Sequence, residues 1–259
     1  MEDILKVKDK VFVVMGVANQ RSLAWGVAQS LHKAGAKLIF TYRKERSLSK
    51  ITKLLEDNQM EAELVVACDV NNDESLKAAF KQIGDKVNQI DGVVHSIAFA
   101  HGEDLKEDFI NTSRDGYAFA QDTSAYSLIA VAREAKPYMV AGSSIITMSA
   151  LGAERAIEGY KVMGVAKAAL ESAVKYLALD LGEENIRVNA ISAGPIRTLA
   201  AKGIPAFNQM LKDIETRAPL KRTVTQEEVG DMSLTLLSPL TRGVTGEVVH
   251  VDAGYHMMA

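Results

Sequence analysis

The sequence is poor in the residues that build disulfide scaffolds and thiolate metal clusters. Its 259 residues include a single cysteine, Cys68, which excludes an internal disulfide and a cluster of thiolate ligands. It holds only 5 prolines, and no low-complexity or proline-rich stretch suggests a linker. We therefore expect one domain spanning residues 1–259.

A strong charge of one sign and a long apolar run are also lacking. The 30 Lys and Arg side chains face 33 Asp and Glu, for a formal net charge of −3. This near balance argues against a broad nucleic-acid-binding surface. No apolar stretch approaches the roughly 18 residues that span a bilayer, and the first residues lack the pattern of a signal peptide. We expect a cytoplasmic protein that binds neither nucleic acid nor membrane.

Short β-branched runs alternate with helical patterns along the chain. The predicted strands cover residues 11–15, 37–42, 64–68, 92–96, 144–147, 186–191 and 247–251. The predicted helices cover about 22–33, a polar segment ending near 58, and about 73–87, 112–139 and 160–181. Such alternation is typical of right-handed βαβ crossovers. The predicted fold is α/β and Rossmann-type, a doubly wound parallel seven-stranded sheet with helices on both faces.

The first strand leads into a turn of small residues that begins at Gly16. Small residues there let the backbone approach a pyrophosphate, and the following helix offers unpaired N–H groups to it. Only Gly16 and Gly26 are glycine in this stretch, so the GxGxxG spacing is not met. A tight turn without a ligand therefore remains an alternative to a dinucleotide site. The position at the first turn of a doubly wound sheet favours the dinucleotide site.

Cations follow the second predicted strand, at Arg43, Lys44 and Arg46. Cations at a helix start oppose the helix dipole, which is easier to understand if an anion lies among them. We predict that Arg43 and Lys44 bind the 2′-phosphate of NADPH, with a solvated charged turn as the alternative. Glu45 leaves NADH as the other cofactor, because a carboxylate in this region binds ribose hydroxyls.

A tyrosine and a lysine stand seven residues apart, at Tyr160 and Lys167. Seven residues make nearly two helical turns, so both side chains share one face. A phenol near a cation ionises more readily than a free phenol. The pair can donate to a developing oxyanion while the lysine holds a ribose. Such pairs are common on helices, so the spacing alone does not decide the function.

These motifs carry a resemblance to the short-chain dehydrogenase/reductase superfamily and, within it, to the bacterial enoyl-acyl-carrier-protein reductases. Ordinary members of the superfamily have Tyr-x3-Lys, whereas the enoyl reductases have Tyr-x6-Lys, as here. Further matching stretches are 15–18 with 22–24, 95–100, 160–167 and 186–198. The likeness runs from about residue 8 to the end of the chain.

The resemblance implies an activity and a set of site residues. The implied reaction passes hydride from NADPH, or alternatively NADH, to the β-carbon of a trans-2-enoyl thioester on acyl carrier protein, the last step of fatty-acid elongation. Tyr160 and Lys167 are the implied catalytic residues, and the implied assembly is a homotetramer. Implied cofactor contacts are Gly16, Ser22, Leu23, Arg43, Lys44, Asp69, Val70, Ile97, Lys167, Ile196 and Thr198. Implied substrate contacts are Ala100, Tyr160, Met163 and Phe207.

The chain departs from the family pattern at two places. Ala150 stands where bacterial members usually carry a second tyrosine, which removes a phenol from the implied acyl pocket. A lid is expected at about 198–214, with apolar residues at helical spacing. It lacks basic residues between Ile204 and Leu211. The nearby cations that remain for an acidic carrier protein are Lys202, Lys212, Lys221 and Arg222.

Two other functions stay open on the sequence. The first is a 3-ketoacyl or other carbonyl reductase of the same superfamily, which would share the fold and the cofactor. Tyr-x6-Lys and the Ser96-Ile97-Ala98 stretch argue against it. The second is a low-activity, cofactor-binding regulatory relative, for which Ala150 is the support.

Overall fold

The computed structural model describes residues 4–198 and 207–258. Its strands are β1 (Val11–Met15), β2 (Lys37–Tyr42), β3 (Leu64–Ala67), β4 (Ile90–His95), β5 (Met139–Ser149), β6 (Arg187–Ala193) and β7 (Val248–Val251). All described pairings are parallel, and the strand order is β3-β2-β1-β4-β5-β6-β7. The predicted doubly wound seven-stranded sheet is confirmed.

Helices cover both faces of this sheet, because strands buried on both sides need an apolar layer on each. They are α1 (Leu23–Lys33), α2 (Glu45–Asp57), α3 (Asp73–Val87), α4 (Gly102–Lys106), α5 (Arg114–Gln121), α6 (Ser127–Ala135), α7 (Lys161–Gly182), α8 (Phe207–Arg217) and α9 (Gln226–Leu237). One core contains Trp25, Ile51 and Val229 from α1, α2 and α9. The opposite core contains Phe80, Leu128 and Leu170 from α3, α6 and α7.

The predicted long helix at 112–139 is wrong in its middle and at its end. A π-helical turn at Asp122–Tyr126 separates α5 from α6, and β5 already begins at Met139. Asn71 Nδ2 donates to Asp122 Oδ2 at 2.6 Å and to Thr123 Oγ1 at 2.8 Å, which ties the wide turn to the loop after β3. Because these contacts join residues that are far apart in the sequence, the helical periodicity of residues 112–139 does not predict the π-helical turn.

Two helices were absent from the prediction. α4 has only five residues, too short for a periodicity to be recognised. α9 begins with a capping box, in which Thr225 and Glu228 bond to each other's backbone N–H groups. That Thr-x-x-Glu signal stands in the sequence and would have located α9. No helix in the described ranges combines the length and apolar character that crossing a membrane requires.

Candidate active site

The carboxyl ends of β1 and β4 lie side by side, although β2 and β3 separate them along the chain. The strand order reverses at this pair, and ligands of doubly wound sheets bind in the crevice outside such a reversal. The predicted site residues after β1, β2, β3, β4 and β6, together with the start of α7, lie along this edge. The topology therefore gathers segments that are far apart in the sequence.

The turn after β1 lets a ligand come close to the backbone. Gly16 has a φ of +98°, and a Cβ there would lie 2.0 Å from the Ser96 carbonyl oxygen. Any side chain at position 16 would therefore collide with the loop after β4. The Ser22 hydroxyl accepts from Ala18 N at 3.0 Å and from Asn19 N at 3.1 Å, and makes no cap hydrogen bond to α1 within the described residues. The amino end of α1, starting at Leu23, is thus open to an anion.

Charged groups meet at the ends of β2 and β3. Arg43 Nε lies 3.4 Å from Asp69 Oδ2, and both side chains are partly exposed. Lys44 is the N-cap residue of α2. The Asp69 carboxylate also accepts from Asn71 N at 3.1 Å, while Val70 beside it is buried. The structure thus brings together the residues predicted for the 2′-phosphate and for the adenine.

Tyr160 immediately precedes α7 and is held by the loop after β5. A Cβ at Gly152 would lie 2.1 Å from Tyr160 Cδ1, so that loop packs directly on the phenol ring. The pKa of Tyr160 is raised, first by burial and second by the negative charge of Glu171. The expectation that a nearby cation eases ionisation of this phenol is wrong, because burial has the larger effect here. Tyr160 is therefore a neutral hydrogen-bond donor.

Lys167 is only 5% exposed, and its Nζ donates to the Met148 carbonyl oxygen at 2.6 Å. Burial lowers its pKa to about 8, against an opposing effect of Glu171. The ammonium is thus held at the carboxyl end of β5, near the point where it begins to lose its proton at mildly alkaline pH. Burying a lysine ammonium in this way destabilises the folded state. A lysine with such a perturbed pKa is therefore a candidate for a functional role.

Glu171 was not singled out in the sequence. It follows Lys167 by four residues on α7, and Ser149 Oγ donates to its Oε1 at 2.5 Å. Burial raises the pKa of Glu171, while the Ser149 hydrogen bond lowers it. The spacing Tyr160-x6-Lys167-x3-Glu171 was available as a signal, since residues four apart share a helix face.

His95 ends β4. It is fully buried, between Thr147 Oγ1 and Ser127 Oγ at 2.8 Å each. Burial, followed by the charge of Lys167, lowers the pKa of His95 to about 3, so the ring is neutral. Ser127 Oγ also donates to the Thr123 carbonyl oxygen at 2.7 Å, and Thr147 Oγ1 donates to the His95 carbonyl oxygen at 3.1 Å. His95 therefore connects β4, β5 and the π-helical turn.

A small apolar cluster lies beside Tyr160, on the side predicted for the acyl chain. Met163 and Ala100 are buried in it, and Leu105 from α4 packs against it. Ile97 instead packs against the core that contains α3, α6 and α7. Ala150 follows β5 in an extended conformation, directly before the loop that covers Tyr160. Two of the predicted substrate residues, Ala100 and Met163, thus lie together with the predicted catalytic tyrosine.

The predicted lid falls only partly within the described residues. Ile196 packs against two apolar clusters, and Thr198 N donates to its carbonyl oxygen at 2.7 Å. Residues 199–206, with Ile204 and Lys202, lie outside the described ranges. Phe207 begins α8, and Ile214 of that helix is buried in the cluster that contains Ala218 and Val224.

The donor set fits a dinucleotide. The positive φ of Gly16 and the open amino end of α1 suit a pyrophosphate. Asp69 and Val70 offer polar and apolar contacts to a base, and the Lys167 ammonium suits ribose hydroxyls. These groups are of the kinds that the phosphates, sugars and base of a nicotinamide dinucleotide require.

Comparison with known proteins agrees with this geometry. The family model described as enoyl-(acyl carrier protein) reductase matches residues 16–256. The enoyl-acyl-carrier-protein reductase (NADH) FabI of Bacillus cereus is 60% identical over 97% of this chain and 98% of its own. The NADPH enzyme of the same name from Staphylococcus aureus strain MRSA252 is 59% identical over 98% of this chain and 99% of its own.

Solved structures show the same similarity. The crystal structure of the Bacillus cereus enoyl-acyl carrier protein reductase with NADP+ and indole naphthyridinone has a TM-score of 0.95 and 59% identity, and the match covers 98% of each chain. That of the Aquifex aeolicus enzyme (NADH) has a TM-score of 0.93 and 44% identity, again over 98% of each chain. The chain therefore belongs to the enoyl-acyl-carrier-protein reductase family of the short-chain dehydrogenase/reductase superfamily.

Proposed function

We propose that this protein reduces the trans-2 double bond of enoyl thioesters carried by acyl carrier protein, in the last step of fatty-acid elongation in the cytoplasm. NADPH is the preferred cofactor and NADH the alternative. The observation that carries the proposal is the pair of Tyr160 and Lys167 at the start of α7. Lys167 is joined to β5 by the hydrogen bond from its Nζ to the Met148 carbonyl oxygen. The position of the pair beside the crevice and the apolar cluster of Met163 supports a substrate with an acyl chain.

When bound, a reduced nicotinamide supplies the hydride for the β-carbon of the substrate. Charge then develops on the thioester oxygen, and Tyr160, which stays neutral, donates a hydrogen bond to it. A donor already in place stabilises a developing oxyanion by a few kcal/mol, because it needs no reorganisation. Lys167, held in place on α7 by its hydrogen bond to Met148 of β5, orients the cofactor ribose.

Acyl carrier protein is acidic, so its docking surface here needs cations near the acyl pocket. Lys212 is exposed on α8, and Lys221 donates from Nζ to the Thr216 carbonyl oxygen at 2.8 Å. Arg222 makes a two-bond contact with Glu228, at 2.9 and 2.6 Å, which occupies part of its guanidinium. Lys212 and Lys221 are therefore the stronger candidates for the carrier contact.

A homotetramer is supported by apolar side chains exposed on two helical faces. Tyr117, Tyr126 and Ile129 are between 40% and 43% exposed on the segment from α5 to α6. Tyr176 and Leu179 of α7 are 69% and 72% exposed. Apolar side chains grouped on a surface mark contacts between chains. Light scattering of the purified protein gives the assembly directly.

The proposal is tested by parallel oxidation of NADPH and NADH with a trans-2-enoyl thioester, and with a 3-ketoacyl thioester as the control. Turnover with the enoyl substrate alone supports the proposal. Turnover with the ketoacyl substrate favours a carbonyl reductase. Cofactor binding without turnover favours the regulatory relative, and Ala150→Tyr is then the variant to assay.

The Arg43→Ala variant is expected to raise KM for NADPH by about 10- to 100-fold, the cost of one charge-assisted hydrogen bond. KM for NADH should change by less than about threefold, because NADH lacks the phosphate that the guanidinium would meet. Steady-state kinetics with both cofactors measure the ratio. An equal rise for both would show that Arg43 acts through its pairing with Asp69 rather than on a phosphate.

The value of kcat/KM for the cofactor is expected to fall above about pH 8, where Lys167 loses its charge. The fall should be roughly tenfold per pH unit, because kcat/KM reports the ionisation of the free enzyme. A profile from pH 6.5 to 9.5 measures it. Lys167→Arg serves as the control, since its guanidinium stays charged. A fall of the same shape in that variant would assign the ionisation to another group.

A further inference from the structure

Lys161, the residue directly after Tyr160, has an unusual backbone conformation. Its φ is +42°, in the left-handed region that β-carbon sterics disfavour. Seven other non-glycine residues of the described ranges have positive φ, at positions 6, 9, 59, 88, 185, 221 and 253. Among these eight, Lys161 is the one bonded directly to the proposed catalytic tyrosine. Backbone strain of this kind persists only where surrounding contacts maintain it.

The Lys161 side chain makes such contacts across to another helix. Its Nζ donates to the carbonyl oxygen of Lys106 at 2.8 Å and to that of Glu107 at 2.5 Å. These two oxygens lie at the carboxyl end of α4, where backbone carbonyls lack partners within the helix. A cation is also favoured there by the helix dipole. Lys161 therefore caps α4 from the start of α7.

The helix that Lys161 caps forms part of the wall of the proposed acyl pocket. Leu105 of α4 packs against the cluster that contains Ala100, Val162 and Met163. Asp104 is a further attachment of α4, since its Oδ1 accepts from Ser113 N at 3.1 Å and from Ser113 Oγ at 3.2 Å. Asp104 thus ties α4 to α5, and Lys161 ties it to the catalytic helix.

We propose that Lys161 is a positioning residue that fixes the direction of Tyr160 and the wall of the acyl pocket together, by clamping α4 to the start of α7. The inference rests on the proposed function, since it takes Tyr160 as the donor to the thioester oxygen. Its two parts are separable, because the strain belongs to the backbone of Lys161 and the clamp belongs to its ammonium.

Four variants separate the two parts. Lys161→Met keeps the strain and most of the stem but removes the donors. Lys161→Gly removes both the clamp and the steric penalty of positive φ. Lys161→Asn tolerates positive φ but is too short to reach α4. Lys161→Arg keeps the charge and donors and should rescue the clamp. Lys6→Met is the matched control, because Lys6 also has a positive φ, of +48°, but precedes β1 at the opposite end of the strands.

The first measurement is hydrogen exchange of residues 102–107 in protein without substrate, which is independent of turnover. The Glu107 amide, which donates to the Glu103 carbonyl oxygen at 3.0 Å, reports α4 directly. Exchange there should be about tenfold faster in the Met, Gly and Asn variants and near the wild-type rate in Arg and Lys6→Met. Unchanged exchange in Lys161→Met, with folding confirmed by thermal unfolding, would overturn the clamp.

The second measurement is kinetics with long and short enoyl thioesters. Lys161→Met should raise KM for the long substrate by about tenfold while leaving KM for the cofactor unchanged. Lys161→Gly should in addition lower kcat, because the Tyr160 backbone is no longer held. Equal kcat in the Met and Gly variants would remove the role of the strain. Wild-type protein without enoyl turnover would overturn the proposed function, whereas the exchange result would still decide the clamp.

Discussion

Replacing Tyr160 by phenylalanine is expected to lower kcat by roughly 10²- to 10³-fold, the usual effect of removing one oxyanion donor. The variant loses a single oxygen, and the ring keeps its contact with the loop at Gly152. The fold and the cofactor site should therefore survive. Because the hydroxyl acts on charge that develops during the reaction, KM should change far less than kcat. Steady-state turnover with an enoyl thioester measures both constants.

Tyr138→Phe is the matched control for this prediction. Its ring packs against α3 at Gly84, near the amino end of β5 and away from the crevice. It should keep wild-type kcat within about twofold, as distant substitutions do. Full turnover in Tyr160→Phe would remove the assigned role of the phenol. A loss of cofactor affinity in that variant would instead place the hydroxyl on the ribose.

Replacing Lys167 by methionine is expected to abolish most activity without lowering stability. At pH 7 the folded protein holds this ammonium buried, and lowering its pKa from 10.5 to about 8 corresponds to about 3 kcal/mol of folding free energy. Methionine removes that cost but leaves the Met148 carbonyl oxygen without its partner, which costs about 1–3 kcal/mol. The two effects nearly cancel, so the unfolding midpoint should stay equal or rise. Cofactor affinity and kcat should both fall, because the ribose loses its anchor.

The pH dependence of stability gives this prediction a sign. The folded pKa of Lys167 lies below the unfolded value, so burial of its ammonium opposes folding below about pH 8, and this cost disappears as the pH rises to 10.5. The free energy of unfolding of the wild type should therefore gain a rising component between pH 8 and 10.5 relative to Lys167→Met. Lys175→Met, an exposed change on the same helix, should keep that component. A marked drop in the midpoint of Lys167→Met at pH 7 would contradict the argument.

Much of the sheet could be predicted, because each strand is a short apolar run that can be recognised from its own residues alone. The bounds of β1 and β2 were predicted without error, and those of α3 as well. The segment from Asp122 to Tyr126 could not be predicted, since its π-helical turn depends on Asn71, about 50 residues away in the chain. The lid and the contact of Phe207 with the acyl chain remain predictions, because residues 199–206, which make up much of the predicted lid, lie outside the described ranges.

The sequence by itself determined the α/β class, the family and the Tyr160–Lys167 pair, because strand pattern and motif spacing are local properties. Only the tertiary structure decided the electrostatics of that pair. Burial, a property of the packed chain, raises the pKa of Tyr160 and lowers that of Lys167. The contact of Lys161 with the carboxyl end of α4 was decided in the same way, because it joins groups 55 and 54 residues apart in the sequence. Spacing specified which groups are present, and packing specified their protonation and their partners.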